Sequence, residues 1–181
     1  MSKKILRKNV LNIRKKNYKN YLKIKYLLLI SLFKKLNIFK NKKIGGYFPI
    51  NYEFDCFEIL KKLEKAGYKI SLPITKKKSR MDFFEWSFNE PLVIGKFGIP
   101  EPFKRKKIYP DVVLVPLVAF DKYKFRLGYG GGYYDRYIQY IKKNRKIISV
   151  GMAFSFQELK KIPINKNDQK LDFIFTENGF K

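Results

Sequence analysis

The amino-acid sequence predicts an α/β fold of three α/β/α layers, with a mostly parallel, Rossmann-like sheet in the middle. Apolar β-branched runs alternate at short intervals with segments of helical periodicity, which is typical of strands joined by crossover helices. The clearest run, residues 111–115 (DVVLV), stops at Pro116 and has the composition of a buried central strand. With 181 residues and no visible repeat or linker, the chain is expected to form one domain over residues 1–181.

Helices are predicted from apolar side chains at helical spacing and from residues that favour helix ends. Residues 3–18 are expected to form a basic amphipathic helix, and a second helix is predicted over about residues 21–36. Asp55 is expected to cap a third helix, which Gly67 closes. A fourth helix is predicted over about residues 133–143, directly after a glycine cluster.

Further strands are expected where short apolar runs end at turn residues. The segment DFFEWSF alternates in polarity as an edge strand does. Because ligands bind beyond the carboxyl ends of parallel strands, the loop that follows DVVLVP is the first place to look for a site. The predicted further strands are residues 43–49, 68–72 (stopping at Pro73), 82–88, 146–153 and 171–176.

The net charge of +26 is spread along the whole chain rather than collected in one tail or face. A large positive charge favours contact with polyanions, but dispersed lysines are more typical of a general enrichment in Lys, Asn, Ile, Phe and Tyr. A basic nucleic-acid-binding module therefore stays open as an alternative function, although no RNP-like, zinc or helix-turn-helix signature is present.

Cysteine usage and hydropathy indicate a reducing compartment. The lone Cys56 cannot form an internal disulfide, and the basic, interrupted N-terminal segment does not resemble a signal peptide. The longest apolar run, residues 26–33, is too short to span a bilayer. We therefore expect a cytoplasmic protein that has no membrane partner.

The complete absence of histidine narrows the possible chemistry. It excludes Ser-His and Cys-His catalysis, histidine general bases and histidine-ligated zinc, and a single cysteine excludes a thiolate zinc cluster. The groups that remain are carboxylates, Lys, Arg, Tyr and backbone amides. These groups suit the binding of phosphate and Mg²⁺.

A glycine-rich loop at residues 126–136 (RLGYGGGYYDR) is the strongest local motif. Its amides can approach a ligand closely, and a following helix would complete a phosphate cradle. Arg126 and Arg136 bracket the loop, and Asp135 is a natural ligand for Mg²⁺. The loop matches neither the P-loop nor the dinucleotide fingerprint. By general principle alone, a tight turn and a phosphate site are equally good interpretations.

The motif RLGYGGGYYDRY, preceded by VPLVAFD, resembles the signature of the 5-formyltetrahydrofolate cyclo-ligase family. The segments KKILR, YFPINYEFD, FGIPEP and IPINKNDQKLDFIFTE resemble other family features in the same order, so that the resemblance extends from Lys3 to about Glu177. It implies an ATP- and Mg²⁺-dependent enzyme that converts 5-formyltetrahydrofolate to 5,10-methenyltetrahydrofolate, with release of ADP and phosphate.

The resemblance also implies roles for individual residues. ATP would be bound by Lys3, Lys4, Arg7, Arg126, Leu127, Gly128, Tyr129, Gly130, Gly131, Gly132, Tyr133 and Tyr134. Folate would be bound by Phe48, Glu53, Tyr129, Gly130, Gly131, Gly132 and Tyr133. Mg²⁺ would be held by Asp135 and Asp168, and the catalytic residues would be Arg126, Tyr133 and Asp135.

Each implied role has a purely structural alternative. Lys3 and Arg7 could belong to a solvated helix face, Phe48 to the core, Glu53 to a cap and Asp168 to a turn. We interpret Cys56 and Trp86 as packing residues.

Two positions depart from the family pattern. Phe125 stands where glycine is usual, and Asn167 stands where histidine is common. A folate- or nucleotide-binding relative without activity is therefore a further alternative, and so is a related enzyme that acts on another phosphorylated ligand. The expected partners are small-molecule substrates, with no specific nucleic acid, and the expected state is a monomer.

Overall fold

The structure is a computed structural model, and it describes residues 2–18, 26–39, 41–104 and 106–181. Residues 21–25 of the predicted second helix lie outside this range. The described residues include four α-helices: α1 (Lys3–Asn17), α2 (Tyr26–Lys35), α3 (Phe57–Lys65) and α4 (Tyr133–Lys142).

The strands are assembled into one large sheet and two small ones. The large sheet contains β1 (Lys43–Gly45), β2 (Lys69–Thr75), β3 (Met81–Glu85), β6 (Lys107–Ile108), β7 (Val112–Pro116), β10 (Ile148–Met152), β12 (Phe173–Thr176) and β13 (Gly179–Phe180). The small sheets are a hairpin of β4 (Leu92–Ile94) and β5 (Pro100–Pro102), and a three-stranded sheet of β8 (Ala119–Asp121), β9 (Arg126–Leu127) and β11 (Glu158–Leu159).

The large sheet is parallel in its centre and antiparallel at both edges. Strands β2, β1, β7, β10 and β12 are parallel neighbours in that order, while β3, β6 and β13 pair antiparallel outside them. Counted along the chain, the parallel strands have the doubly wound order 2-1-3-4-5. Connections leave β1 and β7 in opposite directions, which opens a crevice at their carboxyl ends. The predicted fold class is confirmed.

Two apolar layers cover the two faces of this sheet. On one face, α2 and α3 pack against Ile44, Val112 and Leu114 through Leu29, Phe33, Ile59, Leu60 and Leu63. On the other face, α4 packs against Phe83, Val113 and Val115 through Tyr137, Ile138 and Ile141. Strand β7 is apolar on both sides because it is covered by both layers, as its sequence predicts.

Helix α1 lies outside these layers, against the three-stranded sheet. Val10 packs with Val118, Ala119, Leu127 and Ile162 in a small separate core. Ser2 caps the helix. Positions 3, 7, 10 and 14 fall on one helical face, so the packing of Val10 turns basic side chains toward the crevice.

Several element boundaries differ from the prediction. Strand β2 continues through Pro73. Proline has no N–H to donate, but β1 has already ended opposite Ser71, so no acceptor on β1 is left unpaired. The DFFEWSF strand is not an edge strand, since β6 pairs outside it. The N-cap of α3 falls on Cys56, although Asp55 still accepts the Phe57 N–H at 2.8 Å. No described helix is both long and apolar enough to cross a bilayer.

Candidate active site

A cavity of about 350 Å³ opens at the crevice beyond the carboxyl ends of β1, β2 and β7. The glycine-rich loop, the N-terminal part of α1 and the β4–β5 hairpin form its other walls. Of the predicted site residues, only Lys4 is outside the lining. Those in the lining are Lys3, Arg7, Phe48, Glu53, Arg126, Leu127, Gly128, Tyr129, Gly130, Gly131, Gly132, Tyr133, Tyr134, Asp135 and Asp168.

The backbone of the glycine-rich loop presents free donors to this cavity. Within the described parts of the chain, the amides of residues 128–132 donate no hydrogen bond. Gly130 has φ +105° and Gly132 has φ +67°, backbone values that residues with a side chain rarely adopt. The loop leads directly into the N-terminus of α4, where further amides and the helix dipole favour an anion.

Two arginine side chains hold the backbone of the loop through its carbonyl groups. Nε of Arg7 donates to the Gly128 carbonyl at 2.7 Å, which joins α1 to the loop. Nη1 of Arg136 donates to the Gly131 carbonyl at 3.0 Å. Both bonds use carbonyl oxygens of the loop, so they leave its amides free for a ligand.

The two acidic residues predicted to bind metal are each paired with a cation. Nη2 of Arg126 lies 2.9 Å from Oδ1 of Asp135, which also accepts the Gln169 N–H at 3.0 Å. Nζ of Lys3 lies 2.5 Å from Oδ2 of Asp168. Arg126 is only 8% exposed, so this guanidinium is held beside Asp135 and is not a free surface charge.

A divalent cation fits these carboxylates only together with another ligand. No group of three or more His, Cys, Asp or Glu side chains among the described residues could hold a metal. The hydrogen bonds to Asp135 fall on Oδ1 and those to Asp168 fall on Oδ2, which leaves one oxygen of each available. Mg²⁺ is commonly held by one or two carboxylates together with phosphate oxygens. The donor set therefore fits Mg²⁺ bound to a nucleotide.

The lining of the cavity also includes a buried carboxylate. Glu53 is 4% exposed, and its Oε2 accepts the Ile50 N–H at 2.9 Å. Burial raises the pKa of Glu53 to about 7, while the Ile50 bond and the nearby Arg14 and Tyr129 act to lower it. Phe48 lines the same cavity and makes an edge contact with Phe57, so part of the lining is aromatic.

Residues that the sequence did not single out complete the cavity. The β4–β5 hairpin contributes Lys96, and it also contributes Phe97, whose ring meets that of Tyr133 edge-on at 6.1 Å. The FGIPEP segment of this hairpin is visible in the sequence, but nothing there assigns a side chain to the site. The hydroxyl of Tyr134 is buried and has no hydrogen-bond partner in the described structure.

The usual glycine position before the loop is occupied by Phe125, which does not need a positive φ. Lys124, with φ +68°, takes the left-handed conformation there, and Phe125 does not. The Phe125 N–H donates to Oδ1 of Asp121 at 3.1 Å. The Asp121 carboxylate therefore holds the backbone at Phe125 just before the loop begins.

Comparisons with known proteins agree on one family. The model of the 5-formyltetrahydrofolate cyclo-ligase family matches residues 1–177. A 5-formyltetrahydrofolate cyclo-ligase of Escherichia coli is 34% identical over 140 residues, 74% of this chain and 76% of the relative. That of Haemophilus influenzae is 32% identical over 137 residues, 72% and 73% of the two chains. The solved 5,10-methenyltetrahydrofolate synthetase of Aquifex aeolicus aligns with a TM-score of 0.77 at 32% identity, over 100% of this chain and 92% of that one.

Proposed function

The chain belongs to the 5-formyltetrahydrofolate cyclo-ligase family, and from this premise we propose that its cavity closes the folate ring in an ATP-dependent reaction. The substrate would be 5-formyltetrahydrofolate, and the products 5,10-methenyltetrahydrofolate, ADP and phosphate. The observation that carries the proposal is the set of free amides at residues 128–132, which shares one cavity with the buried carboxylate of Glu53.

The reaction needs activation of a formyl group that is a poor electrophile. The formyl oxygen attacks the γ-phosphorus of ATP, the bond to the bridging oxygen breaks, and ADP leaves. N10 of the folate then attacks the activated carbon and loses its proton. The carbon–oxygen bond breaks, phosphate departs with the former formyl oxygen, and the five-membered ring is closed. The nucleophiles belong to the substrate, so a chain without histidine can carry out this chemistry.

The phosphate side of the cavity is assigned to the glycine-rich loop and α1. The loop amides and the N-terminus of α4 would bind the transferring phosphoryl group, with Lys3 and Arg7 supplying positive charge. Arg126 would hold Asp135 in place as well as stabilise phosphate charge. Asp135 and Asp168 would hold Mg²⁺, which when bound neutralises charge that develops on the phosphates. Lys4, which is exposed, would act only by its charge.

The folate side is assigned to the wall that carries Glu53 and Phe48. An ionised Glu53 can accept hydrogen bonds from the N–H groups on the polar edge of the pterin. Phe48 and the rings of Tyr129 and Tyr133 offer apolar contact to the folate rings. The aromatic walls would also exclude water from the activated formyl group, because bulk water would compete with N10.

A direct assay tests this function. The protein is mixed with 5-formyltetrahydrofolate, ATP and Mg²⁺, and the near-ultraviolet absorption of the methenyl product is followed. We expect a rise that requires ATP and that stops when a chelator removes Mg²⁺. The absence of any rise, together with salt-sensitive binding of an oligonucleotide, would contradict the proposal.

The comparisons favour this enzyme over a nucleic-acid-binding module and over an inactive relative. For the partners and location we propose small-molecule substrates, a cytoplasmic protein and a monomer. Support comes from the single Cys56, which is buried and unpaired, and from the placement of the site residues within one chain.

A further inference from the structure

Arg14 is a fully buried charge on the helix that serves the phosphate side. It lies on the face of α1 that carries Lys3 and Arg7, and its exposed fraction is 0%. The guanidinium forms no salt bridge with a carboxylate in the described structure, and its Nε has no hydrogen-bond partner there. A buried cation of this kind costs free energy unless its other contacts offset the lost hydration.

The contacts of Arg14 join three separate segments around the cavity. Nη1 donates to the Leu117 carbonyl at 3.1 Å, just after β7. Nη2 donates to the Asn51 carbonyl at 2.8 Å, in the turn that precedes α3. The same nitrogen donates a hydrogen bond to the hydroxyl oxygen of Tyr129, and the guanidinium carbon lies 5.7 Å from the centre of that ring.

The turn at residues 50–53 has a backbone conformation that needs hydrogen bonds such as the one from Arg14 to hold it. Asn51 and Tyr52 adopt φ of +49° and +61°, in the left-handed region, which asparagine tolerates but which is unfavourable for tyrosine. Inside the turn, Glu53 closes the structure by accepting the Ile50 N–H and by donating its own N–H to the Ile50 carbonyl at 2.9 Å. The bond from Arg14 to the Asn51 carbonyl holds the turn from outside.

We propose that Arg14 is a positioning residue for folate binding, which fastens Tyr129 of the glycine-rich loop to the turn that carries Glu53. The inference rests on the proposed function, because it assigns the folate to this side of the cavity. Helix α1 then serves both substrates. Lys3 and Arg7 face the phosphates, while Arg14 acts on the folate wall about 16 Å from Lys3 along the helix axis.

The charge of Arg14 acts on Glu53 as well. Burial raises the pKa of Glu53 to about 7, and Arg14 and Tyr129 act to lower it. Loss of the guanidinium would raise this pKa further, so that less Glu53 is ionised at neutral pH. The groups that face Glu53 are Arg14 from α1, Tyr129 from the loop, Tyr134 from α4, Tyr47 after β1, and Cys56 before α3.

Three variants distinguish the effect of the hydrogen bonds of Arg14 from the effect of its charge. Arg14→Met should raise the KM for 5-formyltetrahydrofolate about tenfold or more, and that for ATP less than about threefold, because its lost bonds reach the Asn51 carbonyl and the Tyr129 side chain and not the loop amides assigned to phosphate. It should also move the acid limb of kcat/KM for the folate to higher pH. Arg14→Lys should keep the acid limb near that of the wild type but recover only part of the folate KM. Lys15→Met, the exposed neighbour, removes one charge and should leave both KM values unchanged.

A parallel rise in both KM values with an unmoved acid limb would show that Arg14 only stabilises the fold, and it would overturn the proposal. Unchanged kinetics in Arg14→Met would overturn it as well. If Arg14→Met does not fold, Arg14→Lys and Tyr129→Phe provide the test, because each weakens the fastening while keeping most of the side chain. If both Arg14→Lys and Tyr129→Phe have the folate KM of the wild type, the proposal is contradicted.

Calorimetric titration of 5-formyltetrahydrofolate without ATP separates this inference from the proposed function. Wild-type protein that binds the folate but does not turn it over would contradict the function alone, and weaker binding by Arg14→Met would still support the role of Arg14. Active wild type with equal binding by Arg14→Met would contradict only the inference. No folate binding by the wild type would overturn both.

Discussion

The side chains of Arg126 and Asp135 lie 2.9 Å apart in the cavity lining, and both are held by Gln169, through its carbonyl and its N–H respectively. We expect Asp135→Asn or Arg126→Ala to lower turnover about a hundredfold or more, as loss of an electrostatic stabiliser does. The double variant should be close to the worse single variant, because either change disrupts the same unit. The rate of methenyl product formation in a single turnover, compared among the wild type, the two single variants and the double variant, tests this prediction.

The exposed pair of Lys104 and Glu90 provides the control for these charge changes. Lys104→Met and Glu90→Gln each remove a charge outside the cavity, and turnover should stay near that of the wild type. Near wild-type turnover in both Asp135→Asn and Arg126→Ala would contradict the roles assigned to these two residues. Multiplying losses in the double variant would show instead that the two side chains act independently.

At the scale of elements, the glycine-rich loop works through its backbone, and Gly130 and Gly179 allow this to be tested. Their φ values are +105° and +114°, and an added Cβ would make only ordinary contacts at either position. Gly130→Ala and Gly179→Ala should therefore destabilise the protein similarly, by about 1–2 kcal/mol. Only Gly130→Ala should also raise the KM for ATP, by about tenfold, because it re-aims amides that bind phosphate.

Urea unfolding gives the stability loss of these two variants, and initial rates give the KM. Equal KM values for ATP in the two variants would contradict a phosphate cradle at this loop. A larger stability loss at Gly179 would leave the cradle intact, since that glycine is the first residue of β13 and lies outside the cavity lining.

The elements that the sequence predicted well are those with a strong local signal. Strand β7 has a continuous apolar run, and α1 and α4 have helical periodicity. The glycine cluster predicts the loop that precedes α4. The β4–β5 hairpin and the three-stranded sheet have strands of two or three residues, too short to show any period. Burial of Arg14 could not be predicted either, because α1 carries many basic residues and tertiary packing alone selects the buried one.

The site shows the same division between local and tertiary signals. The glycine-rich loop, Asp135 and Glu53 are named by motif, and the structure brings them to one cavity. The pairing of Arg126 with Asp135 joins positions nine residues apart across a loop, which spacing alone does not predict. Phe97 enters the cavity through the register of a hairpin that depends on contacts distant in sequence.

At the scale of the whole molecule, the net charge of +26 gives salt two opposite effects. Like charges repel one another in the compact state, so screening should stabilise the fold. The same field attracts ATP and folate, which are both anionic, so screening should slow their capture. From about 20 mM to about 300 mM KCl, where the Debye length shrinks severalfold, we expect the Tm to rise while kcat/KM for both substrates falls about threefold or more.

The two measurements are made on the same samples, by thermal unfolding and by initial rates at subsaturating substrate. Since the charge acts mainly on encounter, kcat should change much less than kcat/KM. Sodium sulfate is avoided, because a divalent anion could occupy the phosphate cradle and mimic the effect of screening. A Tm that falls with KCl would show that the acidic residues already balance the repulsion locally, through pairs such as Asp82 with Lys76 and Lys107. A kcat/KM independent of salt would show that the excess charge plays no part in drawing substrates to the cavity.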